Sequence, residues 1–525
     1  MNKEYDAIVV GGGLAGLTGA AYLCRYGYRP LLLEKSHKTG GLVNTFCHQG
    51  FMFDAGIRAF ENSGILFPML KSLGLQMEFA KNTVSIGIDN QWTRLSSRES
   101  LKNYADMLAL IFPENTSDID KIAQEIQKVM DYMNVLYGID NPLFLEDMKD
   151  RDYLMKTLLP WLLKYQVNIR KASRLSRPVV AYLKRFTGNQ ALIDMIAQHF
   201  FKDTPTFFAL SYFGLYLDYI YPVGGTGTLA QTVTDYICRT GGEILTDTAV
   251  TQLDVQNRQL HTAGGGIYSY KKLVWAADQK ALYKAAGVIH KLLATKQRDL
   301  VETGHGGDSI LSLFIGVNLD RDYFEGRCGA HAFYTSSTRG LSSLPDWNEA
   351  AATQDGLYDW IDQYLERTTY EISCPVLRDA SLAPEGKTGV IISTLMDYRL
   401  VKHIFDTGGY DHFKEFCARK ITEALEASVF PGISQRIEFS LCSTPLTIER
   451  ETGNAHGAIT GWAFTNDTMP AENSFRKITH SIKTPIEDVY QCGQWTFSPS
   501  GLPVTILTGK LAADAVHKKL KGTGK

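Results

Sequence analysis

Two short apolar runs frame the first part of the chain. The first, Ala7–Val10, leads into glycines at positions 11, 13 and 16, and the second, Pro30–Leu33, ends at the acid Glu34. A helical stretch separates the two runs. Continuous apolar runs of this length are typical of strands that are buried on both faces. The pattern therefore predicts a strand, a helix and a second, parallel strand.

The glycines match the GxGxxG spacing of a dinucleotide-binding turn. Gly11 allows the tight turn out of the strand, Gly13 lets the backbone approach a pyrophosphate at the helix N-terminus, and Gly16 lets the helix pack closely on the sheet. Glu34 would accept hydrogen bonds from the adenosine ribose and would disfavour a 2′-phosphate. A glycine-rich turn without a ligand is the alternative for an isolated motif, but the strand, the helix and the terminal acid together favour a nucleotide site.

Further motifs follow in a fixed order. They are Gly40-Gly41, the segment FMFDAGIRAF at 51–60, YPVGGTGTL at 221–229, LVWAAD at 273–278, VYQCG at 489–493, and the loop and helix from Ser498. This order resembles the FAD-binding framework of the amine oxidase and phytoene desaturase flavoproteins. The resemblance implies FAD as cofactor, bound by Gly11, Gly13, Leu14, Ala15, Gly16, Glu34, Lys35, Gly40, Gly41, Leu42, Ala55, Gly56, Ile57, Arg58, Val250, Ala277, Gly493, Gln494, Leu502, Pro503 and Val504.

The carotenoid isomerase and retinol saturase branch of the phytoene desaturase-like flavoproteins is most similar in two further segments. One is TPLTIERETGNAHGAITGW at 444–462, and the other is GQW followed by GLP, at 493–495 and 501–503. Gln494 stands where many flavoproteins of the wider group have an acid, which is usual in this branch. Ser498 to Gly501 replaces the branch's proline and three glycines, and this departure predicts a narrower site or a different backbone path near the flavin.

The resemblance implies an α/β fold with two domains. A Rossmann-like FAD-binding domain of the amine oxidase type is expected from residues 1–80, 215–300 and 440–525. A substrate domain with a mixed, largely antiparallel sheet and a helical, membrane-facing cap is expected from residues 81–214 and 301–439. A chain of 525 residues is long enough for two such domains.

The resemblance also implies FAD-dependent redox or isomerisation chemistry on the carbon–carbon double bonds of a long, apolar, isoprenoid-like polyene. Saturation, isomerisation and desaturation share one site, with an external electron donor or acceptor that the motifs do not name. A flavin amine oxidase is the alternative among enzymes. A lipid or prenyl carrier on the same fold, similar to the GDP-dissociation inhibitors, is the alternative without catalysis.

Charge and cysteine content narrow the class of partner. The chain has 54 basic and 56 acidic residues, a balance that argues against a general nucleic-acid binder. The eight cysteines form neither a CxxC pair nor a metal-ligand spacing, which favours a reducing compartment and no metal site. No run of about 18 apolar residues and no signal-peptide pattern occurs. We therefore expect a cytoplasmic protein.

A local basic segment at 151–190 modifies this expectation. It carries nine basic residues against one acid, together with leucines, Trp161 and Tyr165. A basic helix with an apolar, tryptophan-bearing face binds the interface of anionic membranes. The prediction is peripheral membrane association through Arg151, Lys156, Lys164, Arg170, Lys171, Arg174, Arg177, Lys184 and Arg185. A solvated basic face whose leucines pack on the core is the alternative.

Aromatic residues crowd the segment after the basic helix. They are Phe207, Phe208, Tyr212, Phe213, Tyr216, Tyr219 and Tyr221. Such side chains line apolar binding tunnels but also fill ordinary cores. The sequence leaves both interpretations open.

Catalytic groups are less clearly marked. Glu449, Arg450 and His456, in the segment 444–462, could donate a proton or stabilise developing charge. A surface ion pair and a hydrogen-bonded loop histidine are the structural alternatives. No GxSxG elbow or HExxH helix is present, which argues against hydrolysis and metal catalysis.

Overall fold

The computed structural model describes residues 4–145, 154–287, 292–351 and 353–522. The strands are β1 (Glu4–Val10), β2 (Leu31–Leu33), β3 (Thr45–His48), β4 (Phe51–Asp54), β5 (Phe79–Lys81), β6 (Val84–Ile88), β7 (Gln91–Leu95), β8 (Ile220–Pro222), β9 (Glu243–Leu245), β10 (Val250–Asp254), β11 (Gln259–Thr262), β12 (Ile267–Trp275), β13 (Ser309–Val317), β14 (His331–Thr335), β15 (Thr369–Ser373), β16 (Thr388–Met396), β17 (Ile437–Ser443) and β18 (Val489–Gln491).

The helices flank and cap these strands. They span Leu14–Arg25, Leu66–Leu73, Ser100–Ile111, Thr116–Tyr137, Leu159–Ser173, Val179–Leu183, Gln190–Ala197, Thr206–Asp218, Gly227–Arg239, Gln279–Ala286, Leu292–Thr303, Arg321–Glu325, Trp347–Ala350, Gln354–Arg367, Tyr398–Asp406, Tyr410–Glu426, Pro445–Thr452, Ile478–Ser481 and Leu502–Gly522. A π-helical turn, Leu154–Leu158, precedes the helix that starts at Leu159.

The first sheet, which we call the nucleotide sheet, has the strand order β10-β11-β12-β1-β2-β9, and β18 pairs with β12. The pairs β1–β12, β1–β2, β2–β9 and β12–β18 are parallel. Ile8 and Val9 are fully buried because helices cover both faces of this sheet. Burial of each such side chain contributes roughly 1.5–3 kcal/mol. The predicted strand–helix–strand unit is therefore present.

Close helix packing fixes the turn that follows β1. A Cβ added to Gly16 would lie 1.9 Å from the carbonyl oxygen of Gly11, and a Cβ on Gly509 would lie 2.4 Å from that of Ala15. No side chain fits at either position. The helices Leu14–Arg25 and Leu502–Gly522 therefore contact each other through their backbones beside the glycine turn.

The second sheet, the substrate sheet, has the order β17-β13-β16-β15-β14-β6-β7. The pair β14–β6 is parallel, and the remaining neighbours are antiparallel. Helices within 100–145 and 159–218 pack against one end of it and share an apolar core with β6 and β7, which includes Ile126, Leu192 and Phe213. A Rossmann-like α/β domain beside a mixed sheet with helices confirms the predicted fold class.

The strands of the nucleotide sheet come from the three segments predicted for the FAD-binding domain. The predicted boundary at residue 440 falls inside β17, which starts at Ile437 and pairs with β13 of the substrate sheet. Hydrogen bonding along the strand places β17 in the substrate sheet, and the predicted division into two domains stays a prediction.

Candidate active site

One cavity of about 550 Å³ has walls from both sheets. Part of its wall is the glycine turn after β1, with the ends of β2 and β12. Another part comes from β14, β15 and β16 and from the aromatic helix Thr206–Asp218. The carboxyl ends of parallel strands in a Rossmann-like sheet are the usual position of a ligand. The cavity extends this position into the substrate sheet.

The glycine turn has the geometry that a phosphate cradle needs. Gly11 has φ +104°, and a Cβ there would lie 3.0 Å from the backbone of Ala276. A Cβ on Gly13 would meet nothing within 4 Å, so this position faces open space at the start of the helix Leu14–Arg25. No side chain caps that helix start, and its free N–H groups can bind an anion.

Glu34 lies at the end of β2 and lines the cavity. Its carboxylate accepts hydrogen bonds from the backbone N–H of Gly12 at 2.5 Å and of Ser36 at 2.8 Å. These two bonds fix the carboxylate beside the glycine turn. Each oxygen has further acceptor capacity, which suits the two hydroxyls of a ribose.

Most of the residues predicted to bind the cofactor lie around this cavity. Those in its wall are Gly11, Gly13, Leu14, Ala15, Glu34, Lys35, Gly40, Gly41, Leu42, Ala55, Gly56, Ile57, Arg58, Val250, Ala277, Gly493, Gln494 and Leu502. Gly16, Pro503 and Val504 are not in the wall: Gly16 and Pro503 are buried and Val504 is half-buried, all in helices behind it. The ammonium of Lys35 donates to the carbonyl of Arg450 at 3.0 Å, so its side chain binds the last turn of the helix Pro445–Thr452.

The loop before the helix Leu502–Gly522 closes the cavity. Gly493 has φ +100°, and its N–H donates to Thr508 Oγ1 at 3.0 Å. Ser500 lines the cavity, and its buried hydroxyl has no hydrogen-bond partner among the described residues. Such a group needs a ligand or water as partner. The open space at Gly13 and the free hydroxyl of Ser500 together fit a bound dinucleotide.

Arg58 organises the next turn. It donates to the carbonyls of Asp54 and Gly56 and to Ser393 Oγ at 3.1 Å. Asp54 is fully buried and accepts hydrogen bonds from the backbone and side chain of Thr226 and from Tyr221. These bonds connect the turn after β4 to the substrate sheet and to the segment 221–226, and they give Tyr221 a structural role.

Some residues of the aromatic segment line the cavity, and others pack in the core, so each of the two interpretations holds for part of the segment. Phe200, Phe208, Tyr212, Tyr216 and Tyr219 line the cavity. Phe207 and Phe213 lie in the helical core, and Tyr216 contacts both the core and the cavity. The cavity-lining residues of the helix Thr206–Asp218 are spaced by four. They therefore lie on one face of the helix.

Glu449, Arg450 and His456 do not line the cavity. The carboxylate of Glu449 accepts hydrogen bonds from the Tyr398 hydroxyl at 2.8 Å and from the backbone N–H of His456 at 3.1 Å. Arg450 pairs with Glu451 at 2.9 Å on the surface. These contacts hold the segment 444–462 together, and a catalytic role for the three residues stays a prediction.

Sequence reasoning missed several ionisable residues of the cavity wall, including Glu61, His199, His331 and Glu371. A carboxyl oxygen of Glu61 is 3.6 Å from the place that a Cβ on Gly501 would occupy. Burial raises the pKa of Glu61 to about 8, and the charge of Asp218 acts in the same direction. Burial lowers the pKa of His199 to about 4. At neutral pH the carboxyl is therefore protonated and the imidazole is neutral.

The helix Leu159–Ser173 presents an apolar face without a covering element in the described residues. Met155, Leu159, Leu163 and Val167, spaced by four, are exposed by 65%, 47%, 67% and 51%. The basic residues from Lys164 to Arg185 are also exposed. Arg151, part of the predicted basic surface, lies outside the described residues.

The described residues contain no group of His, Cys, Asp or Glu that could hold a metal ion. No helix in this part of the chain is both long and apolar enough to cross a membrane.

Known proteins resemble this chain along nearly its whole length. The family of NAD(P)-binding Rossmann-like domains matches residues 9–73. The chloroplastic prolycopene isomerase of Daucus carota is 23% identical, with 99% of this chain and 81% of that protein covered. The all-trans-retinol 13,14-reductase of Danio rerio is 23% identical, with coverage of 94% and 82%.

Solved structures share the fold. An oxidoreductase from Methanosarcina mazei superposes with a TM-score of 0.64 at 14% identity, over 98% of this chain and all of that one. A putrescine oxidase gives a TM-score of 0.60 at 12% identity, over 98% and 99%. These matches confirm the resemblance found in the motifs: the chain is similar, almost from end to end, to the isomerase and retinol reductase branch of the phytoene desaturase-like oxidoreductases.

Proposed function

We propose that this protein is an FAD-dependent oxidoreductase that acts on the carbon–carbon double bonds of a long, apolar, isoprenoid-like polyene. The observation that carries the proposal is the single cavity, which joins a dinucleotide cradle to an aromatic wall. The similarity to a prolycopene isomerase and to a retinol 13,14-reductase supports the choice of a polyene.

FAD is the dinucleotide that this cavity suits best. Its adenosine half would lie near Glu34 and Val250, and its pyrophosphate at the start of the helix Leu14–Arg25. The flavin half would reach Gly493 and Leu502, which approach the same cavity from a separate segment. A flavin supplies hydride transfer, while the protein binds, orients and excludes water.

Residues of the chain would bind the polyene and supply a proton. The rings of Phe208, Tyr212 and Phe333 bury a polyene and exclude water. Glu61 holds a proton on its carboxyl beside the loop at Gly501, and it replaces Glu449 as our candidate proton donor. For saturation, one alkene carbon would take hydride from the flavin, which an external electron donor must first have reduced, and the other would take this proton, which water then restores to the carboxylate.

We also propose that the protein associates with the surface of anionic membranes through its basic and apolar segment, residues 154–185, which contains the helices Leu159–Ser173 and Val179–Leu183. Exposed Leu159 and Leu163 would enter the interfacial region, and Lys164 would contact lipid headgroups. The fraction bound to anionic vesicles should fall at high salt, because screening weakens the charge attraction. Absence of binding to such vesicles at low salt would overturn this part.

The visible spectrum of the gently purified protein tests the main proposal. Stoichiometric flavin bands that bleach with dithionite under anaerobic conditions are expected, followed by conversion of carotenoid or retinoid polyenes. A protein that stays colourless after incubation with FAD would instead support the lipid carrier. Flavin reduction by amines but not by polyenes would support the amine oxidase.

A further inference from the structure

Glu371 brings a carboxylate into the otherwise aromatic part of the cavity. It lies on β15, opposite Phe333 of β14, and both residues line the cavity. Its side chain is 31% exposed, although the surrounding protein buries it from bulk water. A carboxylate in such a position requires an explanation, since an apolar substrate alone gives it no partner.

A chain of hydrogen bonds fixes the orientation of this carboxylate. Arg378 donates to Asn82 Oδ1 at 2.9 Å, which leaves the Asn82 amide nitrogen to donate to His331 Nδ1 at 3.0 Å. His331 therefore carries its proton on Nε2 and donates it to Glu371 Oε1 at 2.9 Å. Tyr219 stacks on the His331 ring with an interplanar angle of 12° and holds it in place.

The electrostatic surroundings keep Glu371 charged. Burial raises the pKa of Glu371, but the His331 hydrogen bond and the positive charges that include Arg58 and Arg378 outweigh it, so the pKa lies below its ordinary value. Burial lowers the pKa of His331. The cavity wall thus contains an anion whose charge is offset by buried Arg58 and half-buried Arg378.

One acceptor of this anion is unused. Oε1 accepts from His331, and no donor to Oε2 is found among the described residues. The second oxygen is therefore available to a ligand that enters the cavity. A ligand carboxylate would be repelled, and a ligand cation would meet the field of Arg58 and Arg378. A neutral hydroxyl matches both the free acceptor and the balanced charge.

We propose that Glu371 Oε2 accepts a hydrogen bond from a terminal hydroxyl of the substrate, so that the preferred substrate is an isoprenoid alcohol rather than a hydrocarbon. The proposal rests on the proposed function and names the polar subsite of the same cavity. Glu371 acts as a specificity-determining residue that binds one end of the chain.

The test measures ligand binding to the purified holoprotein through the quenching of its tryptophan fluorescence. All-trans-retinol, retinyl acetate and retinylamine carry the same polyene and differ at the end that meets Glu371. The wild-type protein should bind retinol about tenfold more tightly than retinyl acetate, since the ester has no hydrogen to donate. Equal affinity for the alcohol and the ester, or tighter binding of the amine, would overturn the inference.

Substitution of Glu371 tests whether this residue causes the difference in affinity. Glu371→Gln should weaken retinol binding about 5- to 10-fold and change retinyl acetate binding less than twofold, because a neutral acceptor binds a hydroxyl less strongly. The exposed Glu366 gives a matched control, and Glu366→Gln should change neither affinity. Equal effects of the two variants would also overturn the inference.

The wild-type comparison of alcohol and ester needs no variant, so it stands even if Glu371→Gln fails to fold. A flavin-containing protein that converts polyenes without preferring alcohols would refute this inference alone. A protein that binds none of the three ligands and converts no polyene would refute the proposed function as well.

Discussion

The buried carboxyl of Glu61 should make the stability of this protein depend on pH. Folding raises the pKa of Glu61 from 4.5 to about 8, chiefly through burial in the cavity wall. Between these values the folded chain keeps a proton that the unfolded chain has released. Unfolding then releases a proton, so the stability contributed by this group is present below about pH 4.5 and is lost as the pH rises toward 8.

The size of the effect follows from the linkage relation. Each pH unit inside this window changes the free energy of unfolding by about 1.4 kcal/mol. From pH 5.5 to 7.5, Glu61 should therefore lower the stability by at most about 3 kcal/mol, since water in the cavity reduces the desolvation of the carboxylate. Glu61→Gln keeps the shape of the side chain and removes its titration.

Urea unfolding followed by circular dichroism, at pH 5.5 and pH 7.5, measures this difference. The wild-type protein should lose stability relative to Glu61→Gln as the pH rises, and the variant should be the more stable protein at pH 7.5. Glu78 is exposed, so Glu78→Gln serves as a control that keeps the wild-type dependence. The same pH dependence in wild type and in Glu61→Gln would refute the argument that folding buries a protonated carboxyl.

Three further substitutions test separate parts of the structure. Gly509→Val should abolish flavin retention and destabilise the protein by more than about 3 kcal/mol, because a Cβ there would lie 2.4 Å from a backbone oxygen. Flavin absorbance measures the first effect, and thermal unfolding measures the second. Glu449→Gln should lower the free energy of unfolding by about 1–2 kcal/mol, because it weakens the hydrogen bonds from Tyr398 and His456, but it should change turnover less than twofold. A loss of turnover at full flavin content would instead support Glu449 as proton donor. Leu163→Asp should reduce sedimentation with anionic vesicles at least fivefold without changing the unfolding midpoint. Unchanged sedimentation would contradict the proposal that this segment binds membranes.

The nucleotide half of the fold could be predicted because its chemistry is local. Gly11, Gly13 and Glu34 act within one strand–helix–strand unit, and their spacing in sequence fixes their spacing in space. The aromatic helix was harder to interpret. A helix that lies between a core and a cavity carries aromatic residues on both faces, so composition alone does not distinguish Phe207 from Phe208.

The polar groups of the substrate half could not be predicted, since distant strands bring them together. Asn82, His331 and Glu371 meet only through the pairing of β6, β14 and β15, and no short motif marks them. The surroundings of Glu449 could not be predicted either. Its motif resembles that of the related branch, but the side chain faces Tyr398 rather than the cavity.

The contact between the helices Leu14–Arg25 and Leu502–Gly522 has a consequence for biosynthesis. The glycine turn leaves the ribosome early, whereas β18 and the helix that packs through Gly509 are translated only after the substrate sheet is complete. β1 can pair with β2 and β12 by the middle of translation, but the helix Leu14–Arg25 lacks its C-terminal partner until the end, and exposed apolar surface is prone to aggregate in that period. Closure of the cavity by residues 493–505 is consequently one of the last steps of folding.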